Sequence, residues 1–147
     1  MRYVHTNLIV HDLEAMIAFY CEVMGCEVAS RRDLAAPWLG RGAAIADAKL
    51  TGAHLRLPGG GDDGPTLELF AYDPPGEDPG PGGADRRGFG HLAFAVDDVA
   101  AARARVLAHG GRPVGEVVTG EVADVGQVTW TYVRDPEGNL LELQRWA

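Results

Sequence analysis

The sequence has few cysteines, no long hydrophobic run and no excess of positive charge. Cys21 and Cys26 are the only two cysteines in 147 residues, and their spacing fits neither a CxxC pair nor a disulfide framework, so we expect reduced thiols. The apolar segment near the N-terminus, "YVHTNLIVH", is too short to span a membrane. A net charge of -8 argues against nucleic acid or an anionic membrane as the main partner. We therefore expect an acidic cytoplasmic protein that acts on a small molecule.

One phrase occurs twice along the chain. "HTNLIVHDLEAMIAFY" is echoed by "HLAFAVDDVAAARARV", and the two opening histidines, His5 and His91, are 86 residues apart. In each copy a short apolar run precedes an aspartate suited to cap a helix, and Gly25 or Gly110 follows where that helix would end. Repetition of this kind predicts two similar folding units.

The unit endings also match, since "TLELFAY" and "NLLELQRW" both carry Leu-Glu-Leu in an alternating strand pattern. Each unit is predicted to run strand, helix and three strands: "CEVASRRDL", "AHLRL" and "TLELFAY" close the first, and "RPVGEVV", "QVTWTYV" and "NLLELQRW" close the second. We expect one α+β domain over residues 1–147. Its first module covers about 1–73, a surface linker rich in Pro and Gly covers about 74–88, and the second module covers about 89–147.

Four ionisable residues lie on strand faces opposite the apolar core positions. Side chains alternate across a strand, so His5 points away from Leu8, and His91 points away from Phe94. If the two units pack about an approximate twofold axis, two imidazoles and two carboxylates converge, and such a set suits divalent Ni, Co, Zn, Mn or Fe. The predicted metal ligands are His5, Glu68, His91 and Glu142.

At these positions the sequence resembles the vicinal oxygen chelate superfamily, which includes glyoxalases, bleomycin resistance proteins and dioxygenases, and most of all glyoxalase I. The closest blocks are "MRYVHTNLIVHDLEAMIAFYCEVMG", "GHLAFAVDDVAAARARVLAHGG" and "DPEGNLLELQ". The resemblance implies paired βαβββ modules whose curled mixed sheets enclose a metal-binding cleft, with one ligand from the first and one from the last strand of each module. It also implies a homodimer, in which the site forms either within one chain or across two.

The resemblance further implies a metal-dependent lyase or isomerase that removes a proton next to a carbonyl group. Glu142 is the expected proton shuttle, and Glu68 is its partner on the other face. Bacterial glyoxalase I commonly has Arg and Asn where this chain has Ile9 and Tyr72, so strict dependence on glutathione is not expected. Six residues are candidate substrate contacts: Asn7, His54, Arg56, Tyr72, Gln144 and Trp146.

Two other functions fit the same residues. One is an epimerase of an acyl-CoA thioester of the methylmalonyl-CoA type, although such enzymes often carry Gln at the position of Glu68. The other is a protein that sequesters an aromatic antibiotic, for which Tyr72, Trp130 and Trp146 would serve. Four retained metal ligands would be superfluous in that role, so metal analysis separates the enzymes from the binding protein.

Overall fold

The computed structural model describes residues 1–78 and 80–147. The chain divides into two compact units, Met1–Asp78 and Pro79–Ala147, and the division falls inside the predicted linker 74–88. Pro79, which belongs to that predicted linker, lies outside the described residues. That the two modules form a single domain stays a prediction.

The first unit contains a four-stranded sheet. Its elements are β1 (His5–Ile9), α1 (Leu13–Glu22), β2 (Glu27–Leu34), α2 (Pro37–Ala43), β3 (Lys49–Arg56) and β4 (Thr66–Asp73). The strand order is β1-β4-β3-β2, with β1 parallel to β4 and the other neighbours antiparallel. The first and last strands of the unit are therefore neighbours, although more than fifty residues separate them.

The second unit repeats this arrangement with five strands. Its elements are β5 (Leu92–Ala95), α3 (Val99–Ala108), β6 (Arg112–Pro113), β7 (Val118–Val122), β8 (Gly126–Arg134) and β9 (Leu140–Trp146). The order is β5-β9-β8-β6, β7 also pairs with β8, and β5 is parallel to β9. Two sheets of four and five strands with few helices make the fold mixed α+β, as predicted.

An aspartate begins the first helix of each unit. Asp12 Oδ1 accepts a hydrogen bond from the backbone N–H of Ala15 at 3.0 Å, and Asp98 Oδ1 accepts one from Ala101 at 2.9 Å. Each bond satisfies an N–H group that the first helical turn leaves without a partner. The two predicted helix starts are confirmed, and each helix packs on its own sheet.

The apolar face of the last strand in each unit forms much of the core. Leu67 and Leu69 on β4, and Leu141 and Leu143 on β9, have no exposed surface. These leucines alternate with a single glutamate in each strand, so the glutamate points to the opposite face of the sheet. The core therefore fixes the direction in which both glutamates point.

Two elements differ from the sequence-based expectation. The segment predicted as one strand, "RPVGEVV", contains only the short strand β6 and the first residue of β7. The pairing with β8 becomes irregular after Pro113, where the N–H groups of Val114 and Gly115 both bond to the backbone oxygen of Tyr132. The second unit consequently has one strand more than predicted. The first unit contains α2, which was not predicted, and Pro37 at its start was the available signal because proline favours the first turn of a helix. No helix within the two described ranges is both long enough and apolar enough to cross a bilayer.

Candidate functional site

Glu68 is the centre of a polar cluster in the first unit. It lies in the middle of β4, which runs between β1 and β3, and its direct cross-strand partners are Asn7 on β1 and His54 on β3. Partners at one register position project from the same face of a sheet, so their side chains meet. Glu68 is only 7% exposed, although it is acidic. A carboxylate this deeply buried requires polar partners.

Three side chains supply those partners. His54 Nε2 lies 2.7 Å from Glu68 Oε1, and His5 Nε2 lies 3.4 Å from Glu68 Oε2. Asn7 Nδ2 donates a hydrogen bond to the same Oε2 atom at 2.9 Å. We call His5, Asn7, His54 and Glu68 the first cluster.

Burial favours the neutral form of His54 in this cluster. Burial is the largest effect and lowers the pKa of His54, and it outweighs the nearby Glu68 carboxylate, which acts in the opposite direction. Neutral imidazole carries one N–H group and one lone pair, and it is the form that binds metal ions or donates a single hydrogen bond. His54 Nδ1 lies 3.3 Å from the hydroxyl oxygen of Thr66, which holds the ring in place.

Glu142 is the centre of a smaller cluster in the second unit. It lies on β9, and its cross-strand partners are Ala93 on β5 and Tyr132 on β8. His91 directly precedes β5, and its Nε2 lies 3.0 Å from Glu142 Oε2. The His91 and Tyr132 rings are 5.1 Å apart between centroids. We call His91, Tyr132 and Glu142 the second cluster.

Tyr132 remains a neutral phenol in these surroundings. Burial raises its pKa, and the negative charge of Glu142 raises it further. The ring of Trp130 packs edge-on against it, with centroids 4.9 Å apart. Tyr132 is not among the site residues predicted from the sequence, although a signal is present, because "QVTWTYV" alternates beside the strand of Glu142 as "AHLRL" does beside the strand of Glu68.

The donor atoms of the first cluster suit a divalent metal ion. In the first unit, one ligand atom from each of His5, His54 and Glu68 lies within 4.8 Å of the others. Imidazole nitrogen and carboxylate oxygen are the ligands that Zn, Ni, Co, Mn and Fe accept in proteins. The second unit repeats one histidine and one glutamate at contact distance. The residues present therefore match the chemistry of a metal site.

The predicted substrate contacts fall into two groups. Asn7 and His54 are brought to Glu68 itself. The other four lie elsewhere: Arg56 faces Asp62, Tyr72 is half-buried near the end of β4, Gln144 accepts a hydrogen bond from Trp146, and Trp146 is 45% exposed. Contact of any of these residues with substrate stays a prediction.

Comparison with known proteins identifies the family. The model of the Glyoxalase/Bleomycin resistance protein/Dioxygenase superfamily matches residues 2–143, so the chain belongs to that superfamily. It is 33% identical to a probable lactoylglutathione lyase of Vibrio cholerae, over 97% of this chain and 88% of the relative. It is 35% identical to a 2-epi-5-epi-valiolone epimerase of Actinomyces, over 95% of this chain and 76% of the relative.

A solved structure has the same fold. A glyoxalase family protein from Bacillus cereus superposes with a TM-score of 0.87 at 26% identity, covering 99% of this chain and 94% of that one. The fold and the family thus agree with the expectation from the repeated His and Glu positions.

Proposed function

We propose that this protein is a divalent-metal-dependent, glyoxalase I-like lyase or isomerase. The observation that carries the proposal is a His–Glu pair that occurs once in each unit. The glutamate is buried in the first unit and half-buried in the second. The nitrogen-to-oxygen distance is 3.4 Å for His5 and Glu68, and 3.0 Å for His91 and Glu142. Two such pairs would supply the four ligands of one Ni, Co, Zn, Mn or Fe ion.

The four residues would hold the ion, and it would supply one kind of chemistry. When bound, a divalent ion stabilises negative charge on adjacent carbonyl or hydroxyl oxygens of a substrate. Carbon acids next to a carbonyl group are weak, so this stabilisation is needed for proton removal at neutral pH. The reaction class is therefore proton abstraction next to a carbonyl of a small molecule.

Glu142 is the proposed base. Its side chain is 17% exposed, compared with 9% for Glu68, and the described contact of its carboxylate is with His91. A carboxylate oxygen of Glu142 would accept the proton from the substrate carbon and return it to the neighbouring carbon on the same side. Return to the opposite face would need a second acid on that side. Glu68 would act on the other face only where the reaction requires a second acid or base.

The substrate is proposed to be small and not strictly dependent on glutathione. Relatives are named lactoylglutathione lyases. In this chain, however, Ile9 lies on the same face of β1 as His5 and is 55% exposed, and Tyr72 lies on the same face of β4 as Glu68. Neither side chain can form the charge-assisted pair that an arginine makes with a carboxylate.

An epimerase is the second candidate. The relative named 2-epi-5-epi-valiolone epimerase is 35% identical to this chain. Epimerisation needs the same proton removal, followed by return of the proton to the opposite face of the same carbon. The acyl-CoA epimerase predicted from the sequence is one member of this class. An antibiotic-sequestering protein would leave both His–Glu pairs without a purpose. A homodimer and a cytoplasmic location stay predictions.

A hydrogen-exchange screen tests the proposed function. The protein is incubated in heavy water with hemithioacetals, acyl-CoA esters, cyclic hydroxyketones and small keto acids, and deuterium incorporation is followed by NMR. We expect exchange next to the carbonyl group of one class, lost with a chelator and restored by adding Ni, Co, Zn or Mn. Exchange that is unaffected by thorough metal removal would refute metal dependence.

A further inference from the structure

The two glutamates are held by different numbers of side chains. Glu68 receives His54 on Oε1, and receives Asn7 on Oε2 with His5 close by. Its two carboxylate oxygens therefore face different partners. Because both oxygens have partners, the carboxylate is held in one rotational orientation.

Glu142 has fewer partners in the same strand positions. Ala93 stands opposite it on β5, and a methyl group cannot donate a hydrogen bond. Tyr132 stands opposite it on β8, but within the described residues no hydrogen bond joins the Tyr132 hydroxyl to Glu142. His91 is thus the described polar contact of this carboxylate. Fewer side chains therefore restrain Glu142 than Glu68.

The contacts of the two His54 ring nitrogens favour a hydrogen bond from His54 to Glu68. The Thr66 hydroxyl can donate to Nδ1, 3.3 Å away, which leaves the ring proton on Nε2. Nε2–H then donates to Glu68 Oε1 at 2.7 Å, a short distance typical of a bond to a charged acceptor. Because Oε1 is occupied in this way, Oε2 is the oxygen that faces His5.

We propose that His54 is a positioning residue that holds the Glu68 carboxylate in the orientation in which it would bind the metal ion, whereas the strands beside Glu142 supply no such residue. The inference rests on the proposed function. In this role His54 contacts the Glu68 carboxylate and not the substrate. The two units then differ, because only Glu68 has a positioning residue beside it. Partners that orient a metal ligand in this way typically change metal affinity by about 10–100-fold when removed.

Metal affinity of matched variants tests the inference. Zinc affinity of the full chain is measured by competition with a chromophoric chelator for the wild type and for His54→Phe, His54→Gln and Tyr132→Phe. Phenylalanine keeps a ring without a donor, whereas the glutamine amide can reach the position of Nε2. We expect His54→Phe to bind zinc about 10–100-fold more weakly. His54→Gln should recover most of that loss, and Tyr132→Phe should change little.

A second measurement needs no metal. With ¹⁵N-labelled histidine in the metal-free protein, the Nε2 resonance of His54 should shift in Glu68→Gln but not in Glu142→Gln. If His54→Phe does not fold, His54→Asn replaces it, because its shorter amide cannot reach Oε1. Wild-type zinc affinity in His54→Phe or His54→Asn, or an equal loss in Tyr132→Phe, would overturn the inference alone. A wild-type protein that binds no divalent ion would overturn the proposed function with it.

Discussion

The two units share a scaffold but differ in the side chains around their glutamates. In each unit the last strand runs between the first strand and the strand before it, so three residues form a row across the sheet. The rows that contain the glutamates are Asn7–Glu68–His54 and Ala93–Glu142–Tyr132. A glutamate lies at the centre of both rows, but only in the first do both flanking residues contact its carboxylate. The two units thus share the proposed ligand and differ in what restrains it.

In the next row on the same face of each sheet, the large side chain lies on a different strand in each unit. These rows are Ile9–Phe70–Gly52 and Ala95–Gln144–Trp130. In the first unit the Phe70 ring lies over Gly52, where an added Cβ would come within 2.2 Å of the ring. In the second unit the large side chain is on the other strand, at Trp130. The same face of the sheet therefore has a different shape in the two units.

The largest expected difference between the units is in proton transfer. Glu142→Gln should lower substrate deuterium exchange by roughly 10²–10⁴-fold at saturating metal, because the amide cannot accept the proton. Glu68→Gln should instead act mainly through weaker metal binding, so added metal should restore much of its exchange. The measurement is exchange rate against metal concentration for both variants. If both variants lose the same amount of exchange and added metal restores neither, the two glutamates do not differ in role.

A smaller effect is expected at Gly52, in the row that contains Phe70. Gly52→Ala should lower the free energy of unfolding by about 1–3 kcal/mol, because the new methyl group meets both the Phe70 ring and the backbone oxygen of Leu69. Chemical denaturation followed by circular dichroism measures the change. Gly120→Ala serves as the control, since a Cβ there meets nothing within 4 Å. Equal stability of Gly52→Ala and the wild type would show that Phe70 moves aside at no cost.

The smallest effect should be the same in both units. Asp12→Ala and Asp98→Ala each remove one helix cap and should each lower the free energy of unfolding by about 1 kcal/mol. Asn at either position should retain most of the stability, because its side-chain oxygen can still accept the bond. Denaturation midpoints measure this. A loss confined to one unit would mean that the units differ in scaffold as well as in their sites.

Much of the scaffold could be predicted because it depends on local patterns. Alternation fixed the faces of Glu68 and Glu142, and an aspartate followed by an amphipathic segment marked both helices. The break between β6 and β7 is not visible in the sequence, because the irregular pairing at Val114 and Gly115 lies in a run that looks like a single strand.

The contacts of His54 could not be predicted, because they depend on the register between strands. Alternation showed only that His54 and Arg56 share a face of β3. Which of them stands opposite Glu68 depends on how β3 and β4 align, and the glycine-rich turn between them does not determine that alignment. The sequence therefore predicts only a substrate contact for His54, and the contact of its ring with the Glu68 carboxylate is found in the structure alone.

The central proposal is that the protein binds one divalent metal ion through His5, Glu68, His91 and Glu142. The most direct test is the metal content of metal-free protein reloaded with excess zinc and freed of unbound ion, measured by mass spectrometry for the wild type, His5→Ala and His91→Ala. One ion per chain is expected for the wild type, with its retention lost in both variants, because each removes a ligand of the same ion. Two ions per chain, or unchanged retention in either variant, would contradict the claim.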